Sequence, residues 1–239
     1  MAKISLGVKP AIFPSPVLLI GTYNDDGSVD VMTVAWAGMA ASDLTEVYIL
    51  ENHRTTENIR KRKAFTLAIA TVETMAQSDY FGIVSGAKDP QKFEKSGFHA
   101  VKSEYVDAPV IEEYPLTIEC ELEEETSAPE EARILGKIKN VLVDEKMLGD
   151  NGKMDVSKLH AIVWDNFQAG YYAVGEKVGQ SFVEGKKISS LNKLADWSED
   201  ADKKEDTSSA CSSACGAATL EEEKKEAPSA CGSACGAAN

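Results

Sequence analysis

Asp30-Val31-Met32-Thr33-Val34-Ala35-Trp36 reads as a strand, and it runs straight into Ala37-Gly38-Met39-Ala40-Ala41-Ser42, a segment made almost wholly of small side chains. The first stretch predicts a strand and the second a loop. A strand over residues 46–50 should follow. Arg54-Thr55-Thr56-Glu57-Asn58-Ile59 then reads as a polar turn opening a helix. Small side chains let a backbone come close to a flat ligand, and the free N–H groups of a helix start favour an anion. The stretch therefore predicts a cradle for a flat molecule that carries negative charge.

Upstream, residues 17–23 predict a strand joined to 29–36 through Asn24-Asp25-Asp26-Gly27, because Asp-Gly supplies the positive φ of a hairpin turn. Pro10, Pro14 and Pro16 make residues 1–16 an extended lead-in. Downstream, strands are expected over 65–70, 98–103, 116–124, 134–144, 159–164 and 171–174. Helices are expected over 56–63, 74–84 and 89–96, the first capped by Thr56 and the last closed by Gly97. Many strands, few short helices and no regular β-α-β alternation exclude a doubly wound sheet. The expected fold class is mainly β, a closed or split antiparallel barrel with short helical insertions.

The 239 residues have a hydrophobic content of 43% and a formal net charge of −14. The first suits a packed core. The second argues against nucleic-acid partners and against anchoring to anionic lipid, since both need a basic footprint. The longest early apolar run, Val17-Leu18-Leu19-Ile20, is far too short to span a bilayer, and no segment reads as a signal peptide, so a cytoplasmic location is expected. There is no Gly-x-Gly-x-x-Gly, phosphate loop or nucleophile elbow, and His53, His99 and His160 form no metal spacing. Arg54, Arg60, Lys61, Arg62 and Lys63 gather around one turn and helix of an otherwise acidic chain. They mark either a phosphate-binding surface or an ordinary solvated helix end.

A larger pattern is carried by the leader from Phe13 to Thr22 and by the Asp26-Gly27 turn with its following strand to Trp36. Thr56-Glu57-Asn58-Ile59, Ser85-Gly86 before Lys92-Phe93, Val106-Asp107-Ala108-Pro109, Glu119-Cys120, and Tyr171 through Gly175 to Gly179 complete it. In this order the motifs resemble the flavin reductase-like, FMN-binding split-barrel proteins, and the flavoredoxins of anaerobes most of all. The likeness covers nearly all of residues 5–190. It implies a homodimer of split barrels, each binding FMN non-covalently near the subunit interface. On this resemblance Asp30, Thr33 and Trp36 line the flavin, with Ser42 toward the phosphate side. Arg54 belongs to the same polar turn. Thr56, Asn58 and Lys92 hold the ribityl phosphate, and Trp164 is either an aromatic close to the flavin or a core residue. Two departures stand out. Asp30 replaces the family's usual Asn, and Glu131 or Arg133 stands where a histidine is common. The implied activity is electron transfer from NAD(P)H or a redox protein through FMN to a flavin, metal or protein acceptor. A flavin- or haem-binding sensor or storage module on the same barrel is the rival reading.

Residues 194–239 differ in kind from the flavin-like part, residues 1–193. Ala, Ser, Gly, Glu and Lys dominate, which predicts a disordered tail. Ser209 to Ala218 is echoed by Ser229 to Ala238, each with two cysteines four positions apart: Cys211 and Cys215, then Cys231 and Cys235. Three readings stay open: a four-thiolate metal site, a dithiol relay to the flavin, or low-complexity sequence without fixed role. The metal-site reading makes the chain a metal-handling protein. The fifth cysteine, Cys120, lies alone in an alternating strand, so the barrel has no disulfide framework.

Overall fold

A computed structural model describes residues 1–188. Along the chain come β1 (Ser15–Pro16), β2 (Leu18–Tyr23), β3 (Val29–Val34), β4 (Ala37–Ala41), β5 (Leu44–Leu50), α1 (Arg54–Arg62), β6 (Ala64–Ile69), α2 (Met75–Ile83) and α3 (Lys92–Ser96). β7 (Ala100–Lys102), β8 (Pro109–Ile111), β9 (Leu116–Ser127), β10 (Glu131–Val143), β11 (Ile162–Asp165) and β12 (Gly170–Ala173) follow. Seven strands form one sheet in the order β3-β2-β6-β9-β10-β5-β4, with every pair antiparallel. Beside it lie a β1-β11-β12 sheet and a β7-β8 ribbon.

The sheet rolls up because one of its faces is apolar along almost its whole width. Met32 and Val34 from the β3 edge share a buried cluster with Val47 and Ile49 of β5, near the opposite edge. Ile20, Phe65, Leu67, Cys120 and Ile134 fill the middle, and Ile59 of α1 joins them. A flat sheet could not bring its two edges into one cluster. The β9–β10 register slips twice, with Glu123 of β9 extra opposite Leu135 and Gly136 and Lys139 extra in β10, irregularities of the kind that bend strands. The outer face is buried too: Val17, Leu19, Val31 and Ala68 pack against Phe81 of α2, Phe93 of α3 and Ile162 of β11. This explains why 17–20 is apolar without alternation, since Leu19 and Ile20 enter different cores.

The hairpin forms as its sequence predicts. Gly27 takes φ 84, and the Gly27 N–H donates to the Asn24 carbonyl at 3.1 Å. Three expectations are corrected. The small-sided segment expected as a loop is the edge strand β4, because its backbone pairs with β5 from Ala37↔Val47 to Ala41↔Leu44. The helix does not begin at a Thr56 cap. α1 starts at Arg54 behind His53, and Thr56 is already inside it, while Lys63 closes the helix in a left-handed conformation. The helix expected over 89–96 is confined to Lys92–Ser96, because the Asp89 carboxylate accepts from the Gln91 N–H and holds a turn there. The two-residue β1 and the short β8 were not foreseen. The tail expectations, with Cys211, Cys215, Cys231 and Cys235, lie outside the described residues.

Candidate functional site

The two groups of side chains that sequence reasoning singled out flank β3: Asp30 lies at its start, and Trp36 lies two residues past its end, because the strand expected through Trp36 stops at Val34. At its start Asp30 is 2% exposed and faces Lys92, the first residue of α3, which is 3% exposed. The Lys92 Nζ lies 2.9 Å from Asp30 Oδ1, and the Thr55 hydroxyl donates to Asp30 Oδ2 at 2.7 Å. Gly86 sits directly on this pair: a Cβ there would stand 2.5 Å from Asp30 Oδ1 and 3.3 Å from Lys92 Nζ, so no larger residue fits. Above the pair is a cleft of about 140 Å³ bordered by Asn52, His53, Arg54, Thr55, Ser85 and Gly86. Arg54 is half-exposed there and makes a loose pair with Glu57 at 3.6 Å. His53 caps α1 with backbone alone, and its ring Nδ1 is buried without a hydrogen-bond partner. Burial, and then the charge of Lys92, push the His53 pKa below the ordinary value, so the ring is neutral at pH 7.

Past the other end Trp36 is 49% exposed and borders a groove of about 530 Å³. Pro10, Ile12, Pro14 and Pro16 of the lead-in, with Ala37 and Gly38, form its largely apolar wall. Glu46, Tyr48 and Glu131 bring polarity to the rim. Glu46 is already engaged, since Arg133 Nη2 stands 2.9 Å from its carboxylate, and that leaves Glu131 as the exposed carboxylate of the groove. At most about 20 Å of extended chain separates Asp30 from Trp36.

The remaining predicted residues are placed elsewhere. Thr56 is fully buried and donates to the Leu50 carbonyl at 2.7 Å. Asn58, 2% exposed, donates to Thr22 Oγ1 at 3.1 Å and Asn24 Oδ1 at 3.0 Å, tying α1 to the hairpin. Thr33 donates to the Ser78 carbonyl of α2. Ser42 is exposed in the β4–β5 turn. Trp164, half-buried on β11, packs on the outer core. The basic cluster disperses into ion pairs: Arg60 with Glu51 and Glu125, Lys61 with Asp25, Arg62 with Asp107. Of that cluster only Arg54 borders the polar cleft. Two contributors were not among the residues assigned to the site. Thr55 rather than Thr56 reaches Asp30, and His53 presents the free nitrogen. Adjacent helical residues point about 100° apart, so only one of the two threonines can face the cleft. Among the described residues no group of His, Cys, Asp and Glu is arranged to hold a metal ion.

Residues 11–164 match the model of the flavin reductase like domain. The chain belongs to that family. A flavin-binding redox role therefore applies to this flavin reductase-like chain, and the polar set suits an oxyanion in part: the Lys92 ammonium, the Arg54 guanidinium and an unpaired His53 nitrogen border one small cleft, together with the Asp30 carboxylate that Lys92 and Thr55 hold. Flavoredoxin of Desulfovibrio vulgaris (Miyazaki F) is 34% identical, with a TM-score of 0.73, over 77% of this chain and 100% of that one. Flavoredoxin from Methanosarcina acetivorans is 26% identical, with a TM-score of 0.72, over 79% and 100%. An FMN-binding protein from Thermus thermophilus, at 16% identity, TM-score 0.60 and 75% and 99% coverage, shares the fold. The family and these neighbours support FMN as the cofactor and the split barrel as the fold. A second model, of an ACGX-repeat peptide, matches residues 189–239. No helix among the described residues is long and apolar enough to cross a membrane.

Proposed function

We propose that this flavin reductase-like chain is an FMN-dependent oxidoreductase or electron carrier of the flavoredoxin kind. It takes electrons from NAD(P)H or a redox protein and passes them to a flavin, metal or protein acceptor. The observation that carries this reading is the almost fully buried Lys92, paired with Asp30 of β3 beneath a polar cleft at the start of α1, with the half-exposed Trp36 just past the far end of β3. Bound FMN supplies the hydride and single-electron chemistry. The chain supplies position. Lys92, Arg54 and the N–H groups at the start of α1 hold the phosphate end, while the Thr55 hydroxyl is spent on Asp30. The Trp36 indole and the proline-lined groove offer an apolar face to the ring. Thr56 and Asn58 act as positioning residues, fixing the first turn of α1 through Leu50, Thr22 and Asn24.

The chain works in this reading as a cytoplasmic homodimer. The β4–β5 edge, with Met39, Tyr48 and Leu50 all more than a third exposed, is a surface suited to a second copy. A net charge of −14 favours a basic protein partner over an anionic nicotinamide. The same reading divides the chain into a flavin domain over residues 1–193 and a repeat-bearing segment over 194–239, supported by the second family match beginning at 189.

The test is an absorbance spectrum of the purified full-length protein, then heat release and chromatographic identification of any yellow cofactor. Released FMN supports the reading. A colourless protein that takes up no added FMN overturns it. Turnover with NADH or NADPH then separates a reductase from a carrier that needs a protein donor.

A further inference from the structure

We infer that Asp30 is a built-in competitor for the flavin phosphate, making this chain a weak discriminator between FMN and riboflavin and its flavin an exchangeable one. The inference rests on the reading that the phosphate end occupies the polar cleft. At about 140 Å³ the cleft has room for a small oxyanion and not for a three-ring system. Its one buried cation is Lys92, and the Asp30 carboxylate sits 2.9 Å from that ammonium. A second donor, Thr55, holds Asp30 in place, and the Gly86 backbone closes over the pair, so the carboxylate cannot swing away. An arriving phosphate therefore meets a neutral ion pair instead of a free ammonium. A phosphate monoester carries close to two negative charges at neutral pH, and its repulsion from Asp30 offsets much of its attraction to Lys92. The other groups at the cleft add little charge. His53 is neutral, and Arg54 is half-exposed and shared with Glu57. Retention then depends chiefly on the ring, which FMN and riboflavin have in common. A flavin held in this way leaves and returns, which suits a chain that exchanges flavin with other proteins.

The test measures Kd for FMN and for riboflavin on the full-length wild type and on the Asp30→Asn and Lys92→Met variants. Wild type is expected to bind the two within about threefold of each other, and Asp30→Asn to favour FMN roughly tenfold more than wild type while riboflavin affinity stays put. Lys92→Met leaves the carboxylate alone and should favour riboflavin. If Lys92→Met shifts the ratio and Asp30→Asn does not, Asp30 is structural only and the inference is overturned while the site stands. If neither ratio moves although flavin binds, the phosphate lies elsewhere, and the site assignment falls with the inference. Should Asp30→Asn fail to fold, the double variant Asp30→Asn/Lys92→Met, which buries no charge, decides the matter. A ratio equal to that of wild type supports the inference, and a loss of FMN preference overturns it.

Discussion

At the Asp30 end of β3 a carboxylate, an ammonium and a hydroxyl are buried against one another under a glycine loop. Two residues past the other end of β3 the half-exposed Trp36 indole borders a groove of prolines and small side chains. The first end is fixed by charge, and losing any member leaves a partner stranded in low dielectric. The second is fixed by shape and surrenders little when one side chain goes. One strand thus joins a region where stability and binding are the same interactions to one where they separate. Mutations at the first end should move both together; at the second they should move binding alone.

The sharpest break is Lys92→Met. It leaves Asp30 buried without its cation, and thermal or urea unfolding should show a loss of about 3 kcal/mol. A loss below 1 kcal/mol would mean that water reaches the carboxylate and that the two ends of β3 are alike. Thr55→Val comes next. It removes one hydrogen bond to a charged group without emptying space, and should cost about 2 kcal/mol in the same assay. The matching change at the neighbouring position, Thr56→Val, loses a bond to a neutral carbonyl and should cost about half as much.

A smaller effect is set by pH. The His53 pKa is lowered in the folded chain, while the unfolded chain titrates near 6.5. The unfolded state therefore binds more protons as pH falls below 6.5, and stability drops in that direction. His53→Asn should flatten the stability profile below pH 6.5 and leave it unchanged at pH 8. An identical slope in both proteins would show that the ring is solvated. Trp36→Ala is expected to change stability least, by about 1 kcal/mol or less, because half of the side chain is already in water. It should nonetheless weaken flavin binding and reduce the quenching of tryptophan fluorescence that FMN produces, leaving only the share of the other two tryptophans.

Much of the barrel was legible because its strands alternate or run apolar and are bounded by turn residues. β2, β3, β6, β9 and β10 all appear close to where sequence places them, and Asn24 to Gly27 turns as expected. β4 was not legible. Ala37-Gly38-Met39-Ala40-Ala41 has neither alternation nor β-branched residues, and it is a strand only because β5 supplies its hydrogen bonds. The site was half legible. The basic cluster pointed to Arg54 and the family resemblance to Asp30 and Lys92, but pairing across 62 positions leaves no local trace. The basic cluster misled for the same reason: Arg60 meets a carboxylate 65 residues away and Lys61 one 36 residues away. Thr55 and Thr56 are chemically the same, and only the rotation of α1 decides which of them serves the cleft.

Cys120 gives the barrel an internal unfolding reporter. Its thiol is completely buried in the centre of β9, it lies 3.6 Å from the Thr45 hydroxyl, and burial pushes its pKa up to about 11. A thiol reagent can reach it only when the rolled sheet opens, so its labelling rate times the global opening of the barrel. Cys120 should therefore stay unlabelled in the native protein and react on denaturation, and the lag before it reacts is a clock for the fold.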